Sequence, residues 1–165
     1  MTQLHLVFGA QGAGKSTYAL QLAAEFGAVR FSIDEWMGEL YGPDMPQPLD
    51  LHWIMARVRR CEQRIWSTAL QVIGTGGRVV LDLGFMKVAD RSRFLALAEA
   101  ESYSVQLHPV TAPLALRRER VLARNAARGE TFAFEVTPAM FDFMESQFEA
   151  PSAEELARAT LFSTA

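Results

Sequence analysis

The chain alternates short apolar runs with longer segments whose apolar residues recur every three or four positions. "QLHLVF" (3–8) is an apolar run ending at a glycine, the pattern of a strand buried on both faces of a parallel sheet. Tyr18, Leu22 and Phe26 then recur at helical spacing, predicting a helix from Lys15 to Phe26 that Gly27 closes. "AVRFS" (28–32) predicts a second strand, and the Gly- and Pro-rich "YGPDMPQP" (41–48) predicts a loop. Asp50 stands where it can cap a long helix. Its apolar stripe runs from Leu51 through Ile54, Val58, Cys61 and Ile65 to Ala69, with Arg57, Arg60 and Arg64 on the other side. "GTGG" (74–77) ends that helix, "RVVLDL" (78–83) reads as a third strand, 88–101 as a helix and "SVQLHPV" (104–110) as a fourth strand. Thr111 is expected to cap a helix with Pro113 in its first turn, running to about Arg128. An excursion follows over 129–138 with alternating Phe132, Phe134 and Val136. Thr137 and Pro138 start another helix, and a short helix and a strand (159–164) come after Pro151. Strands alternating with helices predict an α/β domain spanning 1–165, a parallel sheet covered on both faces in three layers.

Composition narrows the setting. With 165 residues, half of them hydrophobic, and a net charge of -3, the chain suits one soluble core and does not coat nucleic acid by charge alone. No apolar run is long enough to span a bilayer, and "MTQ" leads straight into a strand with no signal-type segment. The single cysteine, Cys61, cannot form an internal disulfide, so a cytoplasmic location is expected.

Lysine is scarce: Lys15 and Lys87 stand against 14 arginines. One of the two closes "GAQGAGKS" (9–16), which fits G-x-x-x-x-G-K-[ST] after a strand and before a helix. Glycines at 9, 12 and 14 let the backbone curl so that its N–H groups point inward as an anion nest, and the helix start adds unpaired amides. Gly9, Gln11, Gly12, Ala13, Gly14, Lys15, Ser16 and Thr17 are therefore the expected nucleotide-binding set. Lys15 is suited to the β- and γ-phosphates and Ser16 to Mg²⁺.

Three further groups fit phosphoryl chemistry. Asp34 follows the second strand, where it can take the proton of an attacking hydroxyl or, more plainly, cap a helix beginning at Glu35. Trp36, Tyr41 and Phe85 can line an acceptor pocket on that side or simply complete the core, and Arg91 can meet an anionic acceptor. Asp82 ends the third strand and is the expected metal-side acid with Ser16. In "LRRERVLARNAARGE", Arg117, Arg120, Arg124 and Arg128 fall within about 80° on one helix. Stacked like charges repel unless an anion sits between them, so this face, with 129–137 as a flap, is expected to close over phosphates as a lid over about 117–137. His5, His52 and His108 show no metal spacing, and Cys61 falls on a core stripe.

"GAQGAGKST", "FSIDEWM", "VVLDLGF" and "RRERVLARNAARGETFAFEVTPAMFDFMESQFEAP" together resemble the small AAA-type ATP-binding proteins of the P-loop kinase superfamily, a group similar to zeta toxins, chloramphenicol phosphotransferase and polynucleotide kinases. The resemblance implies a five-stranded parallel sheet in the order 2-3-1-4-5 with a helical lid, ATP and Mg²⁺, Asp34 as general base, and Arg120 and Arg124 as the R-x-x-x-R pair of the lid. The expected activity is transfer of the γ-phosphate to a hydroxyl of a small molecule. A polynucleotide 5′-hydroxyl kinase and an ATPase switch without an acceptor are the alternatives. Net acidity and the aromatic, Met- and Pro-containing 36–48 segment weigh against a nucleic acid.

Overall fold

The computed structural model describes residues 2–129 and 135–164. Five parallel strands, β1 (Leu4–Phe8), β2 (Val29–Ser32), β3 (Val79–Asp82), β4 (Val105–Thr111) and β5 (Phe162–Ser163), form one sheet in the order β2-β3-β1-β4-β5, as the resemblance implied. Seven α-helices among the described residues connect them: α1 (Lys15–Phe26), α2 (Ile33–Tyr41), α3 (Leu51–Gly74), α4 (Val88–Ala100), α5 (Leu114–Ala127), α6 (Pro138–Gln147) and α7 (Ala153–Ala157). The Phe132 and Phe134 of the expected flap lie outside the described residues.

The two faces of β1 divide the core by strand alternation. Leu4, Leu6 and Phe8 join Leu81, Leu107, Ile65 from α3 and Phe94 from α4 on one side. Val7, Val80 and Val110 meet Ala19 and Leu22 of α1 on the other. Cys61 is buried in the first of these clusters, as its place on the helix stripe predicted.

Three helix starts position the site. α1 begins at Gly14, whose left-handed backbone (φ 97) turns the chain out of the glycine-rich loop. α2 begins two residues earlier than expected: Ser32 is its cap, with Oγ accepting from the Glu35 amide, so Asp34 is not a capping residue. α5 departs from expectation as well. Thr111 is the last residue of β4, and Pro113 itself occupies the cap position with no side-chain cap bond. The sheet ladder claimed Thr111, and the fixed φ of proline suffices to start the helix. Among the described residues no helix is long and apolar enough to cross a membrane.

Candidate active site

The loop between β1 and α1 is held from behind. A Cβ on Gly9 would overlap the Val110 carbonyl oxygen, and one on Gly12, at φ +77, would overlap the Arg117 carbonyl oxygen, so both positions require glycine. Loop carbonyls are tied off in sequence. Lys15 Nζ donates to Ala10 O at 3.1 Å, Arg117 Nη1 to Gln11 O at 3.4 Å, Arg120 Nη1 to Ala13 O at 3.4 Å, and Thr164 Oγ1 to Ala13 O at 3.1 Å. Among the described residues, the amides of Gln11, Gly12 and Gly14 donate to nothing. Carbonyls fixed on one side and amides left unpaired on the other make an anion nest at a helix N-terminus.

Four charged side chains share the space in front of it. Burial lowers the Lys15 ammonium from its ordinary value. Asp82 and Asp34 hold it up against that, and Arg124 and Arg117 add to the lowering. Asp34 is exposed in the first turn of α2, with protein crowding one side of it. The resulting loss of hydration raises its carboxyl above the ordinary Asp range. Asp82 adds to the rise, while Lys15, Arg124 and Arg30 draw it down without cancelling it. The structure thus brings Lys15, Asp34, Asp82 and Arg124 within electrostatic reach of one another.

Asp82 is buried at the end of β3 and pairs with a residue that the sequence reading passed over. Arg30 Nη2 donates to Asp82 Oδ2 at 2.9 Å, and Arg30 Nη1 donates to Glu35 Oε1 at 2.7 Å. The signal was one polar residue inside "AVRFS". Its importance depends on the β2–β3 register, which cannot be read from β2 alone.

The arginine face separates into distinct duties. Arg117 is buried and grips both oxygens of Glu145 on α6, with Nη2 to Oε1 at 2.7 Å. That pairing holds the Glu145 carboxyl below its usual range. Arg120 reaches the loop carbonyls and Thr164 Oγ1, the latter at 2.6 Å, so its place is behind the loop. Arg124 makes no hydrogen bond or ion pair among the described residues, and its charge bears on Lys15 and Asp34. Beyond it, Asn125 fixes the far end of the expected flap by a two-way pairing with Val136, Nδ2 to O at 2.7 Å and N to Oδ1 at 3.0 Å. Sequence reading missed Asn125, Glu145 and Thr164, which meet Val136, Arg117 and Arg120 at separations of 11, 28 and 44 positions.

Expectations for the acceptor side are corrected. Arg91 is fully buried. Its anion is Glu155, with Nε to Oε1 at 2.6 Å, and its remaining donors go to the Phe85, Glu149 and Ala150 carbonyls. A cation at this depth needs an internal partner, so none of it is left for an acceptor. Phe85 is likewise core, packed edge-on against Phe94 with ring centres 5.2 Å apart, because a ring of that size gains most from leaving water. Trp36 and Tyr41 pack against the same core while half-buried, and Tyr41 meets Trp53 edge-on at 6.1 Å.

Ser16 and Asp82 suit a magnesium ion that arrives with a triphosphate. Mg²⁺ keeps several waters and takes one or two carboxylates plus phosphate oxygens. Asp82 keeps one oxygen clear of hydrogen bonds among the described residues. No cluster of three or more His, Cys, Asp or Glu that could cage a metal exists among the described residues. Elsewhere, a cavity of about 470 Å³ opens against α1, lined by Tyr18, His5, His108, Phe26 and Gln106. It contains none of the expected site residues.

Comparison with known proteins agrees with this geometry. The profile described as "AAA domain" matches residues 4–151. Kti12 from Chaetomium thermophilum, solved in complex with ADP-AlF3, superposes with a TM-score of 0.71 at 19% identity over 98% of this chain and 88% of its own. A gluconokinase from Sinorhizobium meliloti gives 0.60 at 17% identity over 97% and 81%. A sugar kinase from Janibacter sp. gives 0.58 at 16% identity over 99% and 86%. At such identities the likeness establishes the fold alone, the five-stranded parallel α/β architecture. A search of curated proteins returns no match.

Proposed function

The chain belongs to the AAA domain family, and from that membership and the loop geometry we propose that it is an ATP-dependent phosphotransferase acting on a hydroxyl of a small molecule. The observation that carries the reading is the loop itself. Its carbonyls are fastened by Lys15, Arg117, Arg120 and Thr164, and the amides of Gln11, Gly12 and Gly14 have no acceptor among the described residues, beside a site that also holds the charges of Lys15, Asp34 and Arg124. The nucleotide in the Kti12 structure supports the assignment to ATP.

In this reading the loop amides and Lys15 hold the β- and γ-phosphates. Asp34 accepts the proton of the acceptor hydroxyl as its oxygen bonds to the γ-phosphorus and the bond to the β–γ bridging oxygen breaks, leaving ADP. The raised position of the Asp34 carboxyl suits a base that must also release its proton. Mg²⁺ held by Ser16 and Asp82 would neutralise phosphate charge. Arg124, whose side chain has no hydrogen bond or ion pair among the described residues, meets the charge that spreads over the moving phosphoryl group.

A γ-labelled ATP transfer screen tests this. Sugars, antibiotics, nucleotide sugars and 5′-hydroxyl oligonucleotides are offered to the wild type and to Asp34→Ala. Labelling of a small molecule that is lost in Asp34→Ala supports the proposal. Labelling of the oligonucleotide alone points to a polynucleotide kinase. ATP turnover indifferent to Asp34→Ala points to a switch without an acceptor.

A further inference from the structure

Arg30 sits where the two acids of the site can be governed together. In the parallel pairing of β2 with β3, Ser32 is opposite Asp82 and Arg30 is opposite Val80. Side chains two apart on a strand share a face. Arg30 therefore lies on the same sheet face as Asp82, one step lower, and its side chain runs up that face to the carboxylate. The guanidinium ends in a fork with two different holds. Nη2 is 2.9 Å from Asp82 Oδ2, and Nη1 is 2.7 Å from Glu35 Oε1. Glu35 is in the first turn of α2, next to Asp34. The Arg30 and Asp82 side chains are only 8% and 5% exposed, so the link between them is shielded from salt and water.

We propose that Arg30 is a positioning residue of the phosphotransfer site, fixing the end of β3 that carries Asp82 to the helix turn that carries Asp34. The inference rests on the phosphotransferase reading. It adds that metal-side and acceptor-side acids are set by one cation that touches neither nucleotide nor acceptor. A planar guanidinium can hold the Asp82 and Glu35 carboxylates at fixed separation, whereas a lysine ammonium at this place makes one of the two contacts at a time.

The test uses the intact protein in four forms: wild type, Arg30→Ala, Arg30→Lys and Glu35→Gln. ATP affinity is measured calorimetrically in EDTA and across a magnesium titration, alongside turnover and the melting temperature. For Arg30→Ala, the EDTA affinity is expected within twofold of wild type. The half-saturating magnesium concentration rises at least tenfold, and kcat falls about a hundredfold. Arg30→Lys recovers the magnesium response more than it recovers kcat. Glu35→Gln, which leaves the Asp82 contact in place, lowers kcat several-fold with the magnesium response unchanged.

The proposal is overturned if folded Arg30→Ala matches wild type within twofold in both magnesium response and kcat, or if its affinity falls equally in EDTA and in magnesium. Should Arg30→Ala fail to fold, Arg30→Lys and Glu35→Gln decide, and wild-type kcat in both overturns it. A wild type that binds no ATP under any condition sinks the phosphotransferase reading first, a result distinct from an active wild type indifferent to these changes.

Discussion

Arg91 and Glu155, 64 positions apart, meet in the interior as a two-pronged pair, Nε to Oε1 at 2.6 Å and Nη2 to Oε2 at 3.1 Å. Burial works against the Glu155 carboxylate, but the Arg91 fork and the Ser152 amide outweigh it and hold the carboxyl below its usual range. Glu155 also completes a capping box with Ser152 that starts α7, so the pair fastens the C-terminal segment to α4. Removing one partner leaves a buried charge uncompensated, a loss of about 3–5 kcal/mol. Glu155→Ala is expected to lower the melting temperature by on the order of 10 °C. The double change Arg91→Met with Glu155→Leu should recover much of it. Calorimetry of the single and double variants checks this, and a double variant as unstable as the single one refutes the electrostatic account.

His108 gives the fold a defined acid sensitivity. It bonds to His5 Nδ1 at 3.0 Å and to Tyr18 Oη at 2.9 Å, and burial, with a smaller contribution from His5, lowers its pKa to about 4. An unfolded histidine takes its proton near 6.5. Between those values the unfolded chain binds a proton that the native chain refuses, so stability is full above about pH 6.5 and falls as pH drops toward 4. The loss reaches about 3 kcal/mol. His5 is lowered as well, with the same sign. Denaturant melts from pH 7 to pH 4 should show the decline in wild type and a flatter profile in His108→Gln.

If Asp34 is the base of the proposed reaction, it is expected to set the acid limb of activity. Its carboxyl lies above the ordinary range, from burial first and Asp82 second, and only its ionised form accepts a proton. Turnover should therefore fall as pH drops through a midpoint above the ordinary Asp value of about 3.9. Asp34→Asn should lose about 10²- to 10⁴-fold in kcat while keeping ATP affinity. An unchanged pH–rate profile in that variant removes Asp34 from the chemistry.

Gly12→Ala asks whether the loop shape matters. The new methyl would meet the Arg117 carbonyl and sit at φ +77, where side chains are strained by about 1–3 kcal/mol. ATP affinity is expected to fall at least tenfold and the melting temperature by roughly 2–12 °C, the size of that strain in a domain of this length. Calorimetry and a thermal melt on the same sample separate the two effects.

Long-period and local features of this protein are written in its sequence. Strand and helix order followed from apolar periodicity, since burying one face of each element imposes that period wherever the element sits. The phosphate-type loop was legible because every requirement it meets is local: glycines for curling, a helix start for amides, one lysine at fixed spacing. Sheet order came through resemblance, and the structure agrees with it.

What the sequence could not assign was partnership. Arg91, Arg117, Arg120 and Arg124 are alike as letters. One ends in the core with Glu155, one on Glu145, one behind the loop with Thr164, and one has no hydrogen bond or ion pair among the described residues. Each of the three pairings depends on a residue 28 to 64 positions away being delivered by the sheet and helix packing. Arg30 shows the same limit, for its two holds exist only once the register of β2 on β3 has put it on the Asp82 face. Periodicity encodes which side of an element is buried. Which charge meets which is decided only when the folded chain brings distant segments within a few ångströms, where pairing outweighs the cost of leaving water.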